Sequence, residues 1–153
     1  MNKKRTPAKR VDIVSLKLVK ESSVLYETRK VSNPYDAYRL AKNFLVDSDR
    51  EKFVVVCLDT KNQPVSIEVV SIGTVNSAMV HPREVFKAAV LSNASKIICF
   101  HNHPSGNMDF SSEDEEITKR LQKCGEILGI ELVDHIVIGD DDKYFSFKEN
   151  FKI

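Results

Sequence analysis

The chain has 153 residues, 42% of them hydrophobic and 29% charged, with a formal net charge of +1. That is enough for one domain with a real core, too apolar for a disordered chain, and too near neutral to be drawn as a whole to DNA or an anionic membrane. Cys57, Cys99 and Cys124 lack C-x-x-C spacing and sit among apolar neighbours, so they read as buried thiols of a cytoplasmic protein, and no apolar run suggests a signal peptide or a bilayer span.

In chain order, residues 1–10 (MNKKRTPAKR) are basic and aperiodic, and are expected to form a flexible tail able to make a weak nucleic-acid contact. Residues 11–153 are expected to form one domain. Alternating apolar positions in 11–19 and 23–28 predict two strands joined by a short turn. Asn33-Pro34 is a helix start, with an N-cap side chain ahead of a proline, and Ala37, Tyr38, Ala41, Phe44 and Leu45 then recur on one helical face. Residues 53–58 are a continuous β-branched run, hence a strand covered on both faces, with 65–72 as its antiparallel partner and Gly73 as a bend. His81-Pro82 opens a second helix, with His81 structural and Val85, Phe86, Ala89 and Val90 on one face. Residues 96–100 form a short strand. A third helix is predicted from about Ser112 to Leu128, stopped by Gly129, and 130–138 and 144–147 close the sheet around the acidic turn GDDDK. The expected fold class is α/β, with a mixed sheet and about three helices.

Residues 101–114, HNHPSGNMDFSSED, carry the chemistry. Strand side chains alternate faces, so His101 and His103 at the end of a strand point the same way. Pro-Ser-Gly turns the chain, and the next helix begins near Ser111 or Ser112, so Asp114 falls in its first turn and faces back towards the histidines. Two imidazoles and a carboxylate leave a fourth tetrahedral position for water, the layout of a catalytic zinc site. Single features have plainer explanations: Ser112 with Glu115 satisfies a capping box, and the acidic run suits a helix N-terminus. Asp109 competes with Asp114 as the carboxylate. Together, the pattern favours metal. His135 lies in an alternating strand and reads as a satisfied core or edge histidine, and Asp140, Asp141 and Asp142 read as a solvated turn.

The segment resembles the JAMM pattern H-x-H-P, a spacer, then S-x-x-D, with His101, His103, Ser111 and Asp114 in the matching places. HNHPSG and the flanking VHPREVFKAAV and LVDHIVIGDDDKYFSF are most similar to the RadC-like branch of the JAB/JAMM (MPN+) families. Phe110 stands where those families usually have proline, and Asn107 where aspartate is common. The resemblance implies a single JAB/MPN-type, cytidine-deaminase-like domain and a zinc ion on His101, His103 and Asp114. It further implies an oxyanion-stabilising Ser111 and an upstream glutamate as general acid/base. Glu51 fits that place best, ahead of Glu84 and Glu68. The implied activity is a zinc metallopeptidase or isopeptidase acting on a peptide or protein substrate. The alternative is a non-catalytic zinc module in DNA repair or DNA-associated processes that binds protein or nucleic acid. The sequence leaves oligomeric state and substrate open.

Overall fold

The computed structural model describes residues 5–46, 48–73 and 80–153; residues 1–4, the start of the expected N-terminal tail, lie outside the described residues. Two apolar runs set the architecture. Strands β1 (Lys52–Leu58) and β3 (Lys96–Asn102) are buried on both faces along nearly their whole length, so each must lie inside a sheet with layers on either side. The sheet has five strands in the order β2-β1-β3-β4-β5, with β2 Pro64–Ile72, β4 Glu131–Ile138 and β5 Tyr144–Ser146. β1 pairs antiparallel with both β2 and β3, β3 runs parallel to β4, and β5 returns antiparallel. The mixed α/β sheet and three helices expected from the sequence are present.

Alternation within β1 divides the interior into two cores. Phe53, Val55 and Cys57 face one side, packing with Ile97, Cys99 and Leu132 of the sheet and with Val85, Phe86, Ile117 and Leu121 of the helices α2 (Pro82–Leu91) and α3 (Ser112–Leu128). Val54, Val56 and Leu58 face the other side, where helix α1 (Pro34–Leu45) lays Tyr38, Leu40, Ala41 and Leu45 over them. A fully buried Leu or Phe contributes about 1.5–3 kcal/mol, so these two seams supply most of the drive to fold. The helix starts follow their residues: Asn33 caps α1 by accepting from Asp36 N–H at 2.9 Å, and His81 caps α2 by accepting from Arg83 N–H at 3.1 Å. Gly129 ends α3 at φ 70°, in the left-handed region.

Two expectations need correction. Residues 11–19 and 23–28 form no strands, and Val11, Ile13, Leu16, Val19 and Leu25 are exposed. They pair with no strand of the sheet, and a lone two-stranded hairpin is marginal in water. The capping box of α3 is made by Ser111 with Asp114, one residue earlier than Ser112 with Glu115. Among the described residues, no helix is long and apolar enough to cross a membrane.

Candidate metal centre

The chemistry sits beyond the carboxyl ends of the parallel pair β3 and β4, the usual place for sites in open α/β sheets. Odd positions of β3 face α2 and α3, so His101 continues the face of Ile97 and Cys99, and its ring stacks over Phe53 at 6.4 Å. The ladder with β1 ends at Phe53 opposite His101. Beyond it the Asn102 side chain takes over, accepting from Lys52 N–H at 2.8 Å and donating to the Arg50 carbonyl at 3.0 Å. The chain then turns through Pro104 and Gly106 into α3.

His101 Nε2 lies 3.1 Å from His103 Nε2 and 3.4 Å from Asp114 Oδ1, and His103 Nε2 lies 3.7 Å from Asp114 Oδ2. These three residues offer one ligand atom each, and among the described residues they form the one His/Cys/Asp/Glu group of three or more so arranged. Zinc bonds of about 2.0–2.2 Å place tetrahedral ligand atoms about 3.3–3.6 Å apart, and the three ligand atoms here lie within 4.8 Å of one another, close enough to share one ion. The donor chemistry fits too: imidazole nitrogens exclude calcium and magnesium as preferred occupants, while zinc and several other divalent transition metals remain suitable.

Asp114 has two tasks. Its Oδ2 accepts from Ser111 N–H at 2.8 Å while Ser111 Oγ accepts from Asp114 N–H at 3.1 Å, closing the capping box. Burial alone would raise the pKa of this carboxyl, but the imidazoles of His101 and His103 beside it, with help from the Ser111 N–H, hold it well below the usual carboxylate range. The partner feels the reciprocal effect. His103 has its pKa raised, chiefly by its hydrogen bond to Asp114 and against its own partial burial. His103 Nδ1 meets the Asn107 carbonyl at 2.7 Å. A carbonyl only accepts, so Nδ1 carries the hydrogen and the Nε2 lone pair of neutral His103 faces the cluster.

Glu51 stands just ahead of β1. Its charge contributes to raising the His103 pKa. The other carboxylates considered lie elsewhere. Glu68 is opposite Val55 on β2, with β1 between it and β3, and Glu84 pairs with Lys87 at 2.8 Å on α2. Asp109 is exposed and outside the cluster. Asp142 accepts from the Tyr38 hydroxyl at 2.8 Å, so the acidic turn is tied to α1 rather than merely solvated. Burial pushes the Cys57 and Cys99 thiols up, which makes them poor nucleophiles.

Two further contributors were not singled out from sequence, the Asn107 carbonyl and Thr118, while His135 is the satisfied core histidine expected of its strand. His135 Nε2 lies 2.8 Å from His101 Nδ1, and its Nδ1 lies 2.6 Å from Thr118 Oγ1. Burial holds the His135 pKa well below the ordinary imidazole value. Phe110, in place of the expected proline, packs against Phe145 at 5.1 Å and Phe147 at 5.2 Å and so pins the loop to β5. The same loop meets the β4–β5 turn at two glycines. Gly106 has φ 76°, and a Cβ there would lie 2.1 Å from Asp140 Oδ2; a Cβ on Gly139 would lie 2.4 Å from Met108 Cγ. A cleft of about 220 Å³, bordered by Ser48, Asp49, His103, Pro104 and Asp140, opens beside the cluster.

The sequence model of the family described as the RadC-like JAB domain matches residues 31–152. The chain belongs to this family. The RadC-like JAB domain here begins where the packed chain begins, since Val31 is buried and the residues described before it are almost all exposed. A UPF0758 protein of Clostridioides difficile (strain 630) is 56% identical to it over 124 residues, covering 81% of this chain and 52% of that protein. UPF0758 proteins of Methanosarcina barkeri (strain Fusaro / DSM 804) and Rubrobacter xylanophilus (strain DSM 9941 / JCM 11954 / NBRC 16129 / PRD-1) are 45% and 41% identical, over 84% and 90% of this chain and 56% and 61% of theirs. The RadC-like JAB domain thus spans a little over half the length of the curated relatives it matches.

Proposed function

We propose that the chain is a zinc-dependent hydrolase of peptide or isopeptide bonds acting in the cytoplasm, with His101, His103 and Asp114 as the metal ligands. The observation that carries the reading is the convergence of two imidazole Nε2 atoms and one carboxylate within 4.8 Å of one another, with His103 held by a carbonyl at its far nitrogen. Zinc, when bound to such a set, supplies Lewis acidity that polarises a carbonyl and acidifies water near neutral pH. The residues around it do the rest. Glu51, just ahead of β1, would take the proton from the attacking water as the new C–O bond forms and then deliver it to the leaving amine as the amide C–N bond breaks. Ser111 accepts from Asp114 N–H and keeps its own hydroxyl hydrogen to donate to the developing oxyanion. The cleft beside His103 supports this reading as the side from which a substrate carbonyl would approach.

The test is hydrolysis of quenched fluorescent peptide and isopeptide libraries by zinc-loaded protein. Glu51→Gln is expected to reduce the rate by about 10²–10⁴-fold while zinc content is unchanged. An unchanged rate in that variant rejects Glu51 as the base, and an inert zinc-loaded wild type rejects the hydrolase.

A second reading, a non-catalytic zinc module that binds nucleic acid or protein in DNA repair, is favoured by one observation: Arg5, Lys9 and Arg10 are exposed ahead of the domain. Duplex binding measured over a salt series tests it, because phosphate contacts weaken steeply as salt rises. No binding at low salt removes the nucleic-acid form.

A further inference from the structure

We infer that Thr118 and His135 are positioning residues that fix His101 in the one neutral form able to present Nε2 to a metal. The hydrogen-bond order follows from donor counting. Thr118 Oγ1 lies 2.7 Å from the Asp114 carbonyl oxygen and 2.6 Å from His135 Nδ1. The carbonyl only accepts, so the single hydroxyl hydrogen goes there, and His135 Nδ1 must supply the hydrogen for its own contact with Oγ1. Neutral His135 then has no hydrogen on Nε2. His101 Nδ1, 2.8 Å away, must therefore carry one, and the remaining lone pair of His101, on Nε2, points at His103 and Asp114. The reverse order makes the Thr118 oxygen face the Asp114 carbonyl with no hydrogen between them.

Nothing at this depth offers a substitute. His101 and His135 are fully buried and Thr118 is 1% exposed, so solvent cannot complete a broken link. The His135 ring is locked by packing, stacked 10° from parallel on Phe147 at 4.9 Å and edge-on to Phe53 at 5.5 Å. The path also closes on itself. Thr118 bonds the backbone of Asp114, so two of the three candidate ligands, one on β3 and one on α3, are joined through a residue of β4. His103, which is partly exposed, is held by a loop carbonyl instead. The two histidines are thus oriented by different means, one inside the core and one at the rim.

The consequence for affinity rests on the zinc reading; the hydrogen-bond order does not. Histidine tautomers of the metal-free protein are read by long-range proton–nitrogen NMR at mildly alkaline pH, and zinc affinity by competition with a chromophoric chelator. Wild-type His101 is expected to carry its hydrogen on Nδ1. His135→Phe is expected to move that hydrogen to Nε2 and weaken zinc binding about 10–100-fold. His135→Gln, whose amide oxygen reaches the place of Nε2, is expected to restore both readings. Thr118→Val is expected to mix the His101 tautomers, and Thr118→Ser to preserve the wild-type form; this pair carries the test if His135→Phe does not fold. An Nε2–H His101 in the wild type overturns the inference, as does wild-type zinc affinity in both His135→Phe and Thr118→Val. A wild type that binds no zinc rejects the metal reading alone, and the tautomer spectra then decide the relay.

Discussion

Asp114 is both a helix cap and a candidate ligand, and the exchange Asp114→Asn separates the two. The amide oxygen of asparagine can still accept from Ser111 N–H, as Asp114 Oδ2 does at 2.8 Å. What disappears is the charge facing His101 and His103 at 3.4 and 3.7 Å and the helix N-terminus behind it. Losing a charge–dipole contact and a charge-assisted hydrogen bond costs about 2 kcal/mol together, or a fall of roughly 4–8 °C in Tm for a chain of this size. Zinc is the sharper probe. At free zinc about 1,000 times Kd the wild type gains about 4.1 kcal/mol, roughly 8–16 °C. Removing a ligand should weaken binding at least as much as the ~100-fold upper range for an outer-shell partner. The same zinc then supplies only about 1.4 kcal/mol, roughly 3–6 °C. Ser111→Ala is the control, expected to lower metal-free stability by about 0.5–2 kcal/mol while leaving the zinc response intact. Differential scanning fluorimetry with and without buffered zinc reads all three proteins. A full zinc shift in Asp114→Asn would reduce Asp114 to a cap and refute its place in the cluster.

Other outcomes follow from the same geometry. Zinc binding is expected to release a proton near neutral pH: the Asp114 hydrogen bond raises the His103 pKa, and the metal must displace that proton. Affinity therefore rises with pH and levels off above the raised pKa; calorimetry in buffers of different ionisation enthalpy measures the release, and none in this range contradicts the assignment. Gly106→Ala forces a side chain into φ 76° and is expected to cost about 1–2 kcal/mol and to weaken zinc binding by shifting the loop that carries the Asn107 carbonyl. Denaturant midpoints and chelator competition check it, and a variant unchanged in both removes the strain argument. Gly125→Ala improves helix propensity by about 1 kcal/mol, but its Cβ would lie 2.3 Å from the Ile130 carbonyl oxygen, a backbone atom that cannot swing aside. Overpacking of about 1–3 kcal/mol should win and lower the urea midpoint; a raised midpoint would show that the α3–β4 junction yields.

Much of this was legible from residue order because the informative segments obey one local rule at a time. The apolar runs of β1 and β3 announced strands covered on both faces, and H-x-H at a strand end followed by a turn and an acidic helix start announced a cluster. Where two rules compete, sequence does not choose. Ser111 and Ser112 both suit an N-cap, and only the placement of Asp114 against the histidines favours the first. The alternation at 11–19 is as regular as that of a real strand, but pairing depends on an open partner edge that local pattern does not encode. His135 was legible as a satisfied core histidine, but its place beside His101 was hidden for a geometric reason. Ile97 pairs with Leu132 and Ile98 with Asp134, so Val133 is an extra residue in the ladder. That bulge reverses the alternation, and His135, an odd number of residues from inward-facing Leu132, still turns inward towards His101.

The contact of the ligand loop with the acidic turn at Gly106 and Gly139 has a consequence for how such a domain can be altered. The two segments are a little over thirty residues apart in the chain, yet each occupies space the other leaves by lacking a Cβ, like teeth of one zip. Lengthening the turn around Asp140 would reshape the rim that carries His103, and transplanting HNHPSG into another scaffold would move the letters without the mould that shapes them. The heritable unit is the pair of loops, and a library that diversifies one should co-diversify the other.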